Sequence, residues 1–314
     1  IAHFHNTFPL VSPAAYYAAE AAAVPVVQTL HNYRLLCPNA VLFRDAQVCE
    51  SCLGKAIPWS SLIHRCYRHS LSATAATAAM LSIHRALHTW TEKVDVYIAL
   101  TEFARDKSIQ GGLPAAHITV KPNFLMHDPG CGDGRAKYAL FVGRLSSEKG
   151  LDTLLAAWDR LGRNIPLRVV GDGPLVPRIA KAASLLAGVE YLGRVPKQNV
   201  LSLMKEALFL IFPSLCYEGF PNVIVEAYAS GLPVLASNVG SMSSLIEHGR
   251  TGLHFKAGDP DDLAAQVDWA LAHPREMTRM RREARGEYLA KYTADRNYRT
   301  LMEIYERALE NRRR

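Results

Sequence analysis

The stretch Tyr138-Ala-Leu-Phe-Val-Gly-Arg-Leu-Ser-Ser-Glu-Lys-Gly-Leu151 decides the fold. Its first five residues are apolar and β-prone and read as a buried strand. Gly143 to Gly150 read as a loop, and a helix begins near Leu151. The same pattern recurs downstream. Strands are expected at 138–142, 166–170, 189–192, 208–212, 233–236 and 252–255. Helices are expected after Lys149, Pro174, Pro196, Pro221, Ser241 and Pro260. Regular βα alternation implies a parallel sheet covered on both faces. Ligands of such sheets sit beyond the carboxyl ends of the strands. Arg144 and Lys149 therefore stand where two cations could grip a diphosphate.

A second run, Glu218-Gly-Phe-Pro-Asn-Val-Ile-Val-Glu226, sits farther along. Pro221 suits the first position of a helix, where its missing N–H costs nothing. The backbone donors of Asn222 and Val223 would face whatever lies in front of that helix. A helix N-terminus attracts phosphate through its exposed N–H groups and its dipole. Glu226 falls one turn after Asn222, on the same face. A carboxylate there cannot hold phosphate, but it can accept hydrogen bonds from a pair of hydroxyls. Two glutamates alone would read as a solvated helix face. Together with the upstream loop, they point to a ligand with an anionic part and a polyol part, such as a nucleotide sugar.

Gly143-Arg144-Leu145-Ser146 with Glu148-Lys149-Gly150, followed by Glu218 and Glu226, resembles the retaining glycosyltransferases of family 4, the group 1 glycosyltransferases. The resemblance implies an α/β protein of GT-B fold: two Rossmann-like domains with parallel sheets facing across a cleft. It implies a nucleotide-diphosphate sugar as donor and a glycan, lipid or small-molecule hydroxyl as acceptor. It also implies transfer of a hexose-type sugar with retention of configuration, as in cell-envelope polysaccharide biosynthesis. The resemblance assigns Arg144 and Lys149 to the diphosphate and Glu226 to the ribose. It sets Glu218 near the donor sugar and His31 facing the transferred sugar. Gly143, Gly219, Phe220, Pro221, Asn222 and Val223 would complete the donor site. Val189 to Val195 resembles the nucleobase segment, with Arg194 and Val195 beside the base. Enzymes of this fold generally need no catalytic metal. The rival readings are a GT-B sugar-nucleotide epimerase, with more acid/base groups in its cleft, and a non-catalytic nucleotide-sugar-binding remnant.

The first half alternates less cleanly. Ser12-Pro13 opens an Ala-rich helix, 25–30 is a buried strand ending at His31, and 70–92 reads as one long helix. His5 and Asn6 also close a strand at the ligand side. Strands at 94–100 and 117–121 flank a helix capped by Thr101. The Gly/Asp-rich stretch around 128–135 breaks the pattern and is placed as the linker. The expected division is 1–133 as the acceptor-side domain, 134–290 as the nucleotide-sugar domain, and 291–314 as a helix returning to the first domain. Residues 1–5 already read as a strand, so an N-terminal piece of the first domain is expected to be absent.

Four of six cysteines, Cys37, Cys49, Cys52 and Cys66, lie in the irregular insertion 37–66. They fit a closed structural zinc site or reduced thiols, with disulfides last because nothing points to secretion. The net charge of +7 fits plain solubility or attraction to anionic partners, including a membrane surface carrying a lipid acceptor. No nucleic-acid partner is expected. Residues 71–83 are too short and too rich in Ala, Ser and Thr to span a bilayer, and read as a packed helix, with a membrane-surface helix as the lesser option. The expected place is the cytoplasm, with the inner membrane surface as a further site of action. Arg312-Arg313-Arg314 reads as a frayed, solvated tail.

Overall fold

The computed structural model describes residues 1–313 and divides the chain into two compact units. The first holds Ile1–Pro122, Tyr217–Phe220 and Asp295–Arg314, and the second Asn123–Cys216 and Pro221–Ala294. The crossing at 122/123 precedes the expected boundary because Leu125 already pairs with Thr293, and Asp128 with Arg285 at 2.5 Å. The C-terminal return begins at Asp295 rather than 291. Tyr217–Phe220 was expected in the second domain and groups with the first.

In the first unit the elements run β1 (Ala2–His5), α1 (Ala14–Ala21), β2 (Val26–Leu30), β3 (Phe43–Arg44), β4 (Gln47–Val48), α2 (Trp59–Ile63), α3 (Leu71–Ala86), α4 (Thr89–Glu92), β5 (Val96–Ala99), α5 (Glu102–Gln110) and β6 (Ile118–Val120). A parallel sheet forms in the order β1-β2-β5-β6. Every residue of β2 and β5 is buried, because both faces of the sheet are covered. Side chains alternate between those faces. Val26, Leu30, Tyr97 and Ala99 join Tyr16 and Trp90 on one side. Val27, Val96 and Ile98 meet Ile304 and Ala308 of the C-terminal helix on the other.

Three local expectations change. The helix read across 70–92 breaks at His88, which takes a left-handed φ of 53° and turns buried Trp90 into the core. The insertion 37–66 is not wholly irregular, since it holds the β3–β4 hairpin and α2. Helix α1 starts one residue later than read, with Pro13 as its cap residue. Thr101 does cap α5, its Oγ1 accepting from Ala104 N at 3.0 Å.

The second unit contains β7 (Ala139–Val142), α6 (Leu151–Leu161), β8 (Leu167–Val170), α7 (Val176–Leu185), β9 (Val189–Gly193), α8 (Lys197–Glu206), β10 (Phe209–Phe212), α9 (Asn222–Ala229), β11 (Val234–Ser237), α10 (Met242–Leu245), β12 (Gly252–Phe255), α11 (Pro260–Ala272) and α12 (Pro274–Lys291), before α13 (Ala294–Arg313) rejoins the first unit. All six strands are parallel, in the order β12-β11-β10-β7-β8-β9. Chain order reverses between β7 and β10, which is the Rossmann arrangement and its switch point. Leu154 and Trp158 of α6 pack on Phe141, Val169 and Phe209. The Trp158 indole donates to Ile165 O at 3.0 Å. At the C-terminus, Arg312 donates to Glu20 O at 3.0 Å, so the expected frayed tail is tied down there. Arg314, the last residue of that tail, lies outside the described residues.

Candidate functional site

The loop after β7 and the helix after β10 flank the switch point of the second unit. Several backbone contacts shape that loop. Gly143 N donates to Val170 O at 3.1 Å, and Leu145 N to Asp172 O at 2.9 Å. Leu175 N in turn donates to Leu145 O at 2.9 Å. The Gly171-Asp172-Gly173-Pro174 turn therefore braces the loop that carries Arg144. At Gly171, φ is 151° and a Cβ would stand 1.8 Å from Gly143 O, so only glycine fits. Gly150 is equally constrained: φ is 68° and a Cβ would stand 1.8 Å from Pro213 O.

A short 3₁₀ turn, Ser147–Lys149, sits between this loop and α6. Glu148 O accepts from Leu215 N at 2.8 Å and from Ser214 Oγ at 3.3 Å, tying the turn to the segment after β10. Ser146 Oγ donates to Glu148 Oε1 at 2.5 Å, so Glu148 is a brace rather than a ligand group. The Lys149 ammonium lies 5.8 Å from the centre of the Phe212 ring.

A cavity of about 290 Å³ opens at the carboxyl ends of β7 and β8. Gly143 and Arg144 line it from one side, and Arg194 and Val195 from the other. Four expected site residues are thus brought to one pocket. Helix α9 begins at Asn222 and leaves Pro221 as its cap residue, one position before the expected one. Asn222 Oδ1 accepts from Asn123 Nδ2 at 2.9 Å. Glu226 is nearly buried and pairs with Lys197 Nζ at 3.0 Å. Lys197 was not read from the sequence. Its position at the start of α8, two residues past Val195, was the available signal. The pair links the Arg194–Val195 segment to α9.

In the first unit, the remaining expected residues meet a different environment. A Cβ on Gly219 would stand 2.7 Å from the His31 carbonyl oxygen, so the turn that holds Glu218, Gly219 and Phe220 packs directly on the end of β2. Tyr33 OH donates to Glu218 O at 3.5 Å. His31 Nε2 and His5 Nδ1 share a hydrogen bond of 2.7 Å. His3 stacks on His5 at 4.3 Å and bonds Tyr305 OH and Thr29 Oγ1, each at 2.8 Å. Burial, followed by the charges of His5, Lys121 and His31, lowers His3 to about 4. Burial lowers His31, with His5 and Lys121 adding to it, and burial with Lys121 lowers His5. All three imidazoles thereby take up a proton less readily than a free histidine. Lys121 itself is buried, its ammonium donating to Asn297 Oδ1 at 3.0 Å, and burial lowers its pKa. Sequence reading missed His3 and Lys121 as members of this set. His3 lies inside β1 and Lys121 directly follows β6, and only the fold shows what each meets on the C-terminal helix, Tyr305 and Asn297.

The four insertion thiols are neighbours. Burial, then Cys37, Cys66 and Cys49, push Cys52 up to about 11, and burial with Cys37 pushes Cys66 up. Yet among the described residues no three His, Cys, Asp or Glu side chains form a group that could hold a metal ion. The expected zinc site at Cys37, Cys49, Cys52 and Cys66 is not formed in this geometry. Their sulfurs turn to local partners instead: Cys52 Sγ to Pro58 O at 3.8 Å and Cys49 Sγ to Ser51 Oγ at 3.6 Å.

Two parallel, Rossmann-like domains, one with a cation-bearing loop at its switch point, define the GT-B architecture. Residues 132–287, nearly half of the chain and, but for Tyr217–Phe220, within the second unit, match the model of the family glycosyl transferases group 1. The chain is 35% identical over 162 residues to the D-rhamnosyltransferase WbpZ of Pseudomonas aeruginosa, covering 50% of this chain and 42% of that protein. It is 28% identical over 285 residues to the glycogen synthase of Mycobacterium tuberculosis, covering 84% of this chain and 66% of that one. The chain thus spans less than two thirds of either relative's length. Anabaena HepE in complex with UDP shares the fold, with a TM-score of 0.72 at 19% identity, over 94% of this chain and 75% of that one.

Proposed function

We propose that this chain belongs to a glycosyltransferase that moves a hexose-type sugar from a nucleotide-diphosphate donor to a hydroxyl of a glycan, lipid or small molecule. The observation that carries it is the pocket where Gly143 and Arg144 meet Arg194 and Val195 at the strand ends of a group 1 domain. In this reading the base lies along Arg194 and Val195. The ribose hydroxyls go to Glu226, oriented by Lys197. The diphosphate goes to Arg144, Lys149 and the N-terminus of α9. A departing nucleoside diphosphate gains negative charge, and fixed cations stabilise it more in the transition state than in the ground state.

The reading extends to family 4 and to retention of configuration by front-face substitution. The acceptor hydroxyl attacks on the face the diphosphate leaves, the glycosidic bond to phosphate breaks, and a phosphate oxygen takes the hydroxyl proton. No separate general base is then required, which fits three imidazoles whose basicity is lowered by burial. His31 and Glu218 line the sugar, and no metal acts in catalysis. A role in cell-envelope polysaccharide assembly and a cytoplasmic location accompany this reading. The epimerase alternative is not favoured, because curated relatives are named as a rhamnosyltransferase, an N-acetyl-D-glucosaminyltransferase and a mannosyltransferase.

A thermal-shift series against UDP-, GDP- and ADP-sugars tests the proposal. One nucleotide should raise the melting temperature, and Lys149→Ala should abolish the rise. Calorimetry paired with a donor-consumption assay separates turnover from mere binding. No stabilisation by any diphosphate nucleotide would end the proposal.

A further inference from the structure

Between Glu50 and Glu92 the chain contains no Asp or Glu, while it carries Lys55, Arg65, Arg68 and Arg85 and four histidines. No other carboxylate-free stretch of the chain is as long. This carboxylate-free segment also holds a concentration of exposed apolar side chains. Ile63 is 65% exposed, Ile57 60% and Trp59 59%, and Leu71 follows at 53%. Trp59 and Ile63 lie four residues apart, on one face of α2. Lys55, Arg65 and Arg68 are exposed in the flanking turns.

Helix α3 packs against α2 and continues the pattern. Its inner face buries Thr74, Thr77, Ala78 and Leu81. Its outer face shows Ala75, Ala76, Ala79 and Ile83 to solvent, with no charge among them. The packed-helix reading of 71–83 thus holds for one face only. No helix of the described residues is long and apolar enough to cross a membrane. What remains is a helical pair that presents apolar groups and one tryptophan between cations.

We infer that α2, α3 and the turns around them form a docking surface for the headgroup layer of an anionic bilayer. Tryptophan suits the boundary between headgroups and acyl chains, with one end apolar and the other wet. Lys and Arg beside it are drawn to anionic lipid. Charge decides against a second copy as the occupant. A symmetric pair would set the same patch against itself. Arg65 and Arg68 would then face their own copies, with no carboxylate in the segment to offset them. The inference does not rest on the donor proposal, since lipid binding and nucleotide-induced stabilisation are measured separately.

The test is sedimentation of the intact chain with vesicles of pure phosphatidylcholine, and of phosphatidylcholine with about one third phosphatidylglycerol. The chain should pellet with the anionic vesicles only, and salt should release it. Arg65→Glu with Arg68→Glu should lower partitioning at least about 20-fold. Trp59→Ser with Ile63→Ser should lower it about tenfold. Both double variants should keep the wild-type melting temperature and nucleotide-induced shift. Tryptophan emission should move to the blue on anionic vesicles, and Trp59→Phe should remove that change, because Trp90 and Trp158 are already buried and Trp269 is half-buried in the second unit, stacked on His273. Equal binding to neutral vesicles, wild-type binding by the variants, or no binding would overturn the inference. So would lipid-free self-association that the Trp59/Ile63 variant abolishes, since a second copy would then be the occupant.

Discussion

The carboxyl ends of the two sheets are furnished in opposite ways. The second unit presents cations on a glycine-shaped loop, with Arg144 and Arg194 lining an open cavity. The first presents three imidazoles whose protonation is suppressed by burial and by the buried Lys121 ammonium. One end is suited to fixed negative charge, and the other to neutral hydroxyls. Two parallel sheets can therefore do different work through the loops at their strand ends, not through the strands themselves.

The sharpest way to break this contrast is at the cationic end. Lys149→Ala should lower kcat by about 10²–10³-fold, the usual cost of removing one group that stabilises a developing oxyanion. His31→Ala should leave the nucleotide-induced melting shift near wild type. If both variants lose that shift equally, the division of labour fails. Gly150→Val tests the loop itself. Its φ of 68° and the 1.8 Å approach to Pro213 O leave no room for a side chain, so stability should fall by at least about 3 kcal/mol in urea unfolding.

Glu226→Gln is a milder probe. It removes the carboxylate that pairs with Lys197, and nucleotide affinity should weaken about tenfold by calorimetry. The histidine end is tested by pH. Each folded-state histidine pKa lies below the ordinary value near 6.5, and His3 lies near 4. As pH falls through this window the unfolded chain takes up protons that the native one refuses. Stability should therefore decline from pH 6.5 toward 4. Carboxylates such as Asp128 and Glu287, lowered by Arg285 and by Lys291 with Arg250, lose stabilisation in acid as well. The histidine share is read as the difference between wild type and His3→Asn/His5→Asn, whose melting temperature should fall less steeply. The smallest effect is expected from metal removal. Dialysis against a chelator should leave the melting temperature unchanged, and a clear drop would restore a structural zinc at the four thiols.

The second unit was the more legible in sequence. Its strands are short apolar runs punctuated by Gly and Pro, and each observed boundary falls within two residues of its expectation. Local chemistry decides such elements, so local reading finds them. Loop geometry was legible for the same reason at Gly150, which closes the stretch read as a loop and where backbone approaches backbone. Residues whose role depends on distant partners were not legible. Lys121 acquires meaning only beside Asn297, His3 only beside Tyr305, and Lys197 only beside Glu226. The break at His88 was hidden because neither Gly nor Pro marks it. What interrupts the helix is Trp90 entering the core, a tertiary demand that overrides propensity.

The chain passes from one unit to the other at 122/123, 216/217, 220/221 and 294/295. Neither half is therefore a transplantable cassette. A gene fragment encoding residues 123–294 would carry four residues whose home lies elsewhere, and the complementary half would have to be stitched from three pieces. Recombination between relatives has few clean seams here. An engineer who swaps the second unit should keep Tyr217–Phe220 and the last helix with the first, or expect an insoluble hybrid.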